Sequence, residues 1–414
     1  MIKQMIIERK RYLDRIASAF QNLPIVVLIG ARQVGKTTLL NSYKIIGNRL
    51  FLNGQDVEIA SIFEKLSTVE QYLKIYLDND FNGTLIIDEF QFIQGISTIM
   101  KLLTDKHPNL KIMCSGSSSL DRLQKIEESL AGRVRIIEVL SLSFSEYLLF
   151  KDKKLWQLQQ TIEIDKNSPL TQPLEKALDE YLIYGGLPRV ALTNNIQEKV
   201  EMLHDLYQTY LMRDIRMYIS NEYFVGFNKL LRLLATQIGN LININELSRQ
   251  SGLPYKKCEE YLYILQQMYI IKLIEPYFTN KRKVIGKMNK IYFCDLGLRN
   301  IIYNSFNEIT YRTDNGALFE NYCLLELWRN KTTLGIINFY RTQNGTEIDF
   351  IIQKPDDKKI VECKYKTIDK AFSIASMKSF CEEENITNQS IITINYSTIY
   401  NNISFVPGII VDRI

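Results

Sequence analysis

The sequence predicts an α/β fold whose leading part is a parallel sheet with helices on both faces, and three observations predict it. Short apolar runs of strand length alternate with helical patterns as far as Cys114. A glycine-rich loop joins the first of those runs to a helix. The chain has 414 residues, 46% of them hydrophobic and 23% charged, enough to bury two or three separate cores.

A charged helix is expected at about residues 7 to 20, then the strand Ile25 to Ile29 and the loop Gly30-Ala-Arg-Gln-Val-Gly-Lys-Thr-Thr38. Phe51 to Asn53, Thr84 to Ile87 and Leu110 to Cys114 read as further strands, and Ile136 to Leu140 is a strand-like run. From about 150 to 240 the pattern is helical, divided by the turn Tyr184-Gly-Gly-Leu-Pro188, and Asp152 to Pro173 reads as a connection or a frayed helix. Asn395 to Asn402 is polar enough to be a loop.

Composition excludes several classes of chemistry. Six dispersed cysteines without close pairs form neither a disulfide framework nor a zinc pattern, and they read as the reduced thiols of a cytoplasmic protein. His107 and His204 are the only histidines, which excludes a histidine-rich metal centre and argues against a Ser-His-Asp triad. The N-terminus lacks the continuous apolar core of a secretory signal, and no apolar run approaches a membrane span. A net charge of +5 is too small to mark a nucleic-acid binder by itself.

Gly30-x-x-x-x-Gly35-Lys36-Thr37 is a complete phosphate-loop pattern between a strand and a helix. The candidate nucleotide-binding residues are Gly30, Ala31, Arg32, Gln33, Val34, Gly35, Lys36, Thr37 and Thr38. The glycines let successive N–H groups turn toward phosphate oxygens at the start of the helix. Lys36 is expected to neutralise the β- and γ-phosphates, and Thr37 to ligate Mg2+. Asp88 and Glu89, closing the strand Leu85-Ile-Ile, are read as the Mg2+ carboxylate and the base for the attacking water; the alternative is an acidic strand end facing solvent. Ser115, heading Ser115-Gly-Ser-Ser-Ser119, is either a γ-phosphate sensor or part of a polar turn. Arg133 is a candidate for stabilising the transferred phosphoryl group, in cis or from a neighbouring subunit of a homo-oligomer, or else a surface arginine beside a strand.

In the middle segment, a short helix from Asn245, the turn Ser251-Gly-Leu-Pro254 and a helix from Tyr255 to Met268 fit a helix-turn-helix. Strands around Ile270 to Pro276 and Lys290 to Cys294 would complete a winged helix. Lys281-Arg-Lys283, Lys287 and Lys290 form a basic stretch that would either touch DNA phosphates or stay solvated while the domain packs on its neighbours.

Near the carboxyl end, Asp349 and the pair Glu362 and Lys364 lie on successive strands, with Glu320 on an upstream helix. Asp349, Glu362 and Glu320 are candidate ligands of a second divalent metal, and Lys364 would activate water for attack on a phosphodiester. The alternative is a buried ion network in an inactive or merely binding domain.

Together the phosphate loop, Ile86-Ile-Asp-Glu-Phe-Gln91, Ser115 to Ser119, Leu130-Ala-Gly-Arg133, Ser143-Phe-Ser-Glu-Tyr147 and Gly185-Gly-Leu-Pro188 resemble the prokaryotic AAA-type ATPases that carry a C-terminal domain of unknown function. The resemblance continues through Tyr292-Phe-Cys-Asp-Leu-Gly297 and Phe319-Glu320 to Glu362-x-Lys364, nearly the whole chain. Cys363 stands where many members have an apolar residue. The resemblance implies ATP as the nucleotide and a restriction-endonuclease-like tail. The expected organisation is a P-loop ATPase domain at 1–150, a helical lid or connection at 151–225, a winged helix at 226–305 and the nuclease-like α/β domain at 306–414. Two functions are expected: ATP hydrolysis coupled to nucleic-acid binding or processing, or a nucleotide-dependent switch for a protein partner with an inactive tail.

Overall fold

The computed structural model describes residues 7–44, 47–78, 80–116, 128–161, 169–212, 215–277, 288–342, 346–368, 370–372 and 374–414. Contacts divide the chain into two compact units, Met1–Leu140 with Gln267–Tyr269, and Ser141–Gln266 with Ile270–Ile414. The first division falls ahead of the expected residue 150. Phe144 shows why: its ring meets Tyr181 edge-on at 5.8 Å and Tyr322 at 6.2 Å, so the Ser143 to Tyr147 motif packs into the second unit. Ser143 and Glu146 form a capping box for the helix Phe144–Lys151.

Among the described residues, the first unit holds a parallel sheet of β1 (Ile25–Ile29), β2 (Asn48–Asn53), β3 (Gly83–Asp88), β4 (Leu110–Gly116) and β5 (Val134–Glu138). The order across the sheet is β2-β3-β4-β1-β5. β1 and β3 are buried along their whole length, as helices on both faces of a parallel sheet require. The helix Ile96–Lys106 buries Ile96, Ile99, Met100 and Leu103, spaced for one face, in the same core as Leu85 and Ile87. β5 starts two residues ahead of the expected run, because Val134 pairs with Ile25 and Ile137 with Leu28.

In the second unit, the helices Gln172–Tyr184, Pro188–Leu192 and Ile196–Leu206 precede Phe224–Thr236, Ile244–Ser251 and Tyr255–Gln267. The antiparallel pair β6 (Ile271–Ile274) and β7 (Lys290–Phe293) follows. Leu241 adds an isolated antiparallel bridge to Lys290. Part of the expected connection at Asp152 to Pro173 is the helix Lys153–Thr161. The Gly185-Gly186 turn and the segment from Tyr292 to Gly297 pack on each other. Gly186 N–H donates to Asp295 Oδ2 at 2.9 Å, and a Cβ on Gly185 would lie 2.3 Å from Asp295 Oδ1. Only glycine fits that close approach.

The helix Asn315–Asn330 leads to a mixed sheet of β8 (Ile336–Arg341), β9 (Glu347–Lys354), β10 (Asp357–Cys363), β11 (Asn388–Thr393), β12 (Thr398–Tyr400) and β13 (Ile403–Pro407). Its order is β12-β13-β11-β10-β9-β8. The expected loop at Asn395 to Asn402 contains β12 instead. Asn401 and Asn402 both adopt left-handed backbone, with φ of 49° and 63°, between the paired residues Tyr400 and Ile403. Two asparagines in that conformation make a tight hairpin turn, so polar composition hid an edge strand.

Candidate functional site

The glycine-rich loop leaves β1 at Gly30, where a Cβ would lie 2.1 Å from the Val139 carbonyl oxygen. Gly35, with φ of 93°, precedes the helix Lys36–Ser42 in left-handed backbone. Lys36 Nζ donates to the carbonyls of Gly30 at 2.9 Å and Ala31 at 2.7 Å. Burial lowers the Lys36 ammonium to about 8, against the opposing pull of Glu89 and Asp88.

Strand order assembles the rest. β4 lies between β1 and β3, so its end is adjacent to both the loop and Asp88. Thr37 Oγ1 donates to Asp88 Oδ2 at 2.7 Å, and the fully buried Ser115 hydroxyl donates to Asp88 Oδ1. Glu89 follows with φ of 53°, an uncommon left-handed conformation for a side-chain-bearing residue, and it accepts a hydrogen bond from Gln91 Nε2. A Cβ on Gly116 would lie 2.6 Å from Gln91 Oε1, so the end of β4 leaves room for that amide. The expected residues Thr37, Asp88, Glu89 and Ser115 therefore converge on one end of the sheet. Ser117 to Ser119 lie outside the described residues.

Arg133 does not join them and is corrected as a group acting in cis. Its carbonyl accepts from Ile25 N–H at 3.1 Å, which places it at the start of β1, about 16 Å of strand from the loop. Its guanidinium pairs with Asp105 through Nε at 2.6 Å and Nη2 at 3.1 Å. Two residues that the sequence did not mark are present instead. One is Gln91. The other is Arg9, 4% exposed, whose Nη1 donates to the carbonyls of Val34 at 2.9 Å and Leu140 at 3.0 Å. The Asp-Glu-x-Gln spacing was a usable signal for Gln91; nothing local marks Arg9.

The C-terminal residues also meet. β9 and β10 pair antiparallel, and Cys363 N–H donates to Asp349 Oδ2 at 2.8 Å. Asp349 N–H donates to Glu362 Oε2 at 3.3 Å, and Lys364 Nζ to Glu362 Oε1 at 2.7 Å. Glu320 receives Tyr292 OH at 2.5 Å and Lys290 Nζ at 3.0 Å on the same oxygen, Oε1. Burial first, and then Asp349, raise the Glu320 and Glu362 carboxyls above their ordinary range. Burial alone would lower the Lys290 ammonium, yet Glu320, Asp349 and Glu347 together raise it.

Lys290 requires a correction: it is 1% exposed and paired with these acids, so it is no part of a basic surface for DNA phosphates. β7 is buried on both faces, and alternation puts Lys290 on the same face as Tyr292, toward Glu320. Lys281 to Lys283 and Lys287 lie outside the described residues. Among the described residues, no group of three or more His, Cys, Asp or Glu side chains is arranged to hold a metal ion. None of the described helices is long and apolar enough to cross a membrane.

Residues 22–148 match the AAA domain family, so the first unit is an AAA-type P-loop ATPase domain. Residues 175–308 and 315–407 match two domains of unknown function, DUF8612 and DUF4143. An uncharacterized protein of Methanocaldococcus jannaschii is 29% identical over 352 residues, 83% of this chain and 75% of its own length. An uncharacterized protein of Haemophilus influenzae is 24% identical over 391 residues, 88% of each chain. Among solved structures, a Walker-type ATPase of Pyrococcus abyssi aligns at 15% identity over 72% of this chain and 97% of its own, with a TM-score of 0.47.

Proposed function

We propose that the first unit hydrolyses ATP and that the second unit is the output of a nucleotide-dependent interaction switch. The observation that carries the first part is the meeting of Thr37 and Asp88 at 2.7 Å at the end of the loop, beside Ser115 and Glu89. Backbone N–H groups of Gly30 to Thr37 and the Lys36 ammonium bind the triphosphate. The Thr37 hydroxyl and Asp88 carboxylate fit Mg2+, one neutral and one anionic oxygen side by side. An ion held by these two residues would supply positive charge to offset the negative charge of the transferred phosphate. Ser115 holds Asp88 in orientation. Glu89 accepts a proton from the water whose oxygen attacks the γ-phosphorus, while the bond to the β-phosphate oxygen breaks and ADP leaves.

A second unit that does not cleave fits the pairing of Glu320 and Glu347 with Lys290 and of Glu362 with Lys364. A second reading, DNA binding, is favoured by the helix, Leu241 bridge, two helices and β6–β7 pair, the order of a winged helix. Against it, the start of the helix Tyr255–Gln267 mixes Lys256 and Lys257 with Glu259 and Glu260. ATP turnover by wild type, Lys36→Ala and Glu89→Gln, each with and without DNA, tests both parts. Turnover in wild type no higher than in Lys36→Ala overturns the ATPase reading, and stimulation by DNA moves the output to nucleic acid.

A further inference from the structure

We infer that the carboxylate cluster of the C-terminal sheet is built around the ammonium of Lys290 in the position that a divalent metal would take in a cleaving site. The inference deepens the reading of the second unit as a non-cleaving output module, and rests on it. Lys290 reaches the cluster from β7, thirty residues before Glu320. Its Nζ lies 3.0 Å from Glu320 Oε1, 2.5 Å from Glu347 Oε1 and 3.8 Å from Asp349 Oδ1.

Asp349 Oδ2, both Glu362 oxygens and Glu347 Oε2 are engaged as well. Asp349 Oδ2 accepts from Cys363 N–H, and Glu362 accepts from Asp349 N–H on one oxygen and from Lys364 on the other. Glu347 Oε2 faces Arg341 at 3.3 Å. Glu320 Oε2 lies against Gly239, where an added Cβ would be 3.4 Å away. A divalent ion needs about six oxygen donors turned toward one point at roughly 2.0–2.6 Å. Here the carboxylates turn instead toward N–H donors and one buried ammonium, an arrangement that satisfies their charge without an ion.

Lys290 also does not behave as a side chain that happened to fold inward. β7 is fixed on one side by β6 and on the other by the Leu241 bridge to Lys290 itself, so the backbone delivers the ammonium to the cluster. Tyr292, two residues on and therefore on the same face, donates to the same Glu320 oxygen. The two residues together present three acids with a cation and a hydroxyl donor from outside the C-terminal sheet.

The test is Mn2+ binding to the nucleotide-free full chain by calorimetry, comparing wild type, Asp349→Asn, Lys290→Met and Lys290→Met/Asp349→Asn. The expected result is equal Mn2+ stoichiometry in wild type and Asp349→Asn, one additional Mn2+ per chain in Lys290→Met, and loss of that addition in the double variant. A wild-type Mn2+ site that Asp349→Asn removes overturns the inference, and so does a folded Lys290→Met that gains none. Should Lys290→Met fail to fold, the wild-type and Asp349→Asn pair still decides. No partner or nucleotide enters this measurement, so its outcome is separate from nucleotide-dependent partner capture, which tests the switch reading.

Discussion

Thr37 Oγ1 donates to Asp88 Oδ2 over 2.7 Å, although the two are 51 positions apart in sequence. The contact joins the first helical turn after the phosphate loop to the end of β3, and Ser115 approaches the other oxygen of the same carboxylate.

Thr37→Ala removes one oxygen of that pair. Loss of a hydrogen bond to a charged group is worth about 1.5–3 kcal/mol, so kcat/KM for MgATP should fall roughly 10- to 100-fold, with Thr37→Ser restoring most of it. Steady-state ATPase kinetics over a Mg2+ titration checks this, and a Thr37→Ala enzyme with wild-type Mg2+ dependence contradicts it.

Glu89→Gln should keep ATP affinity and lose turnover by about 10²–10⁴-fold, the usual scale of a general base. Gln91→Ala should lower kcat roughly tenfold at unchanged KM, because it releases Glu89 without touching the phosphates. Single-turnover hydrolysis beside equilibrium nucleotide binding separates the two effects; undiminished hydrolysis by Glu89→Gln removes it as the base.

Arg9→Ala should weaken ATP binding about tenfold while leaving kcat at saturation near wild type. Its guanidinium holds the Val34 and Leu140 carbonyls, and two lost hydrogen bonds of about 1 kcal/mol each loosen the loop more than the chemistry. Partial recovery in Arg9→Lys, measured by nucleotide titration, distinguishes this from general unfolding.

Glu326 makes a pH-dependent contribution to the second unit. It accepts from Phe144 N–H at 3.0 Å and from Arg329 at 2.8 Å, yet burial raises its carboxyl to about 7. A carboxyl raised in the folded state contributes stability that is complete below its unfolded value and is lost as pH rises through about 7. Relative to Glu326→Gln, wild-type thermal stability should therefore fall between about pH 4.5 and 7, by an order of 1–3 kcal/mol. Parallel melting curves for the two proteins across that window would show that Glu326 does not titrate there.

The loop from Gly30 to Thr38 was legible from the sequence because its chemistry is contiguous: a turn that needs glycine, a lysine and a hydroxyl are fixed by neighbours a few bonds apart. Asp88 and Glu89 were legible for the same reason, as the end of an apolar strand. Which distant residues join them was decided by strand order. β4 between β1 and β3 brought Ser115 to Asp88, while the parallel register of β5 on β1 held Arg133 at the far end of the sheet. Glu320, Asp349, Glu362 and Lys364 could be paired on paper from helix and strand periodicity. That Lys290 stands among the acids could not, since it follows the basic stretch Lys281 to Lys287 in sequence and only the packing of β7 brings its side chain to them. Local spacing determines the shape and charge of a loop or strand end; the packing of separate elements determines which charge each one meets.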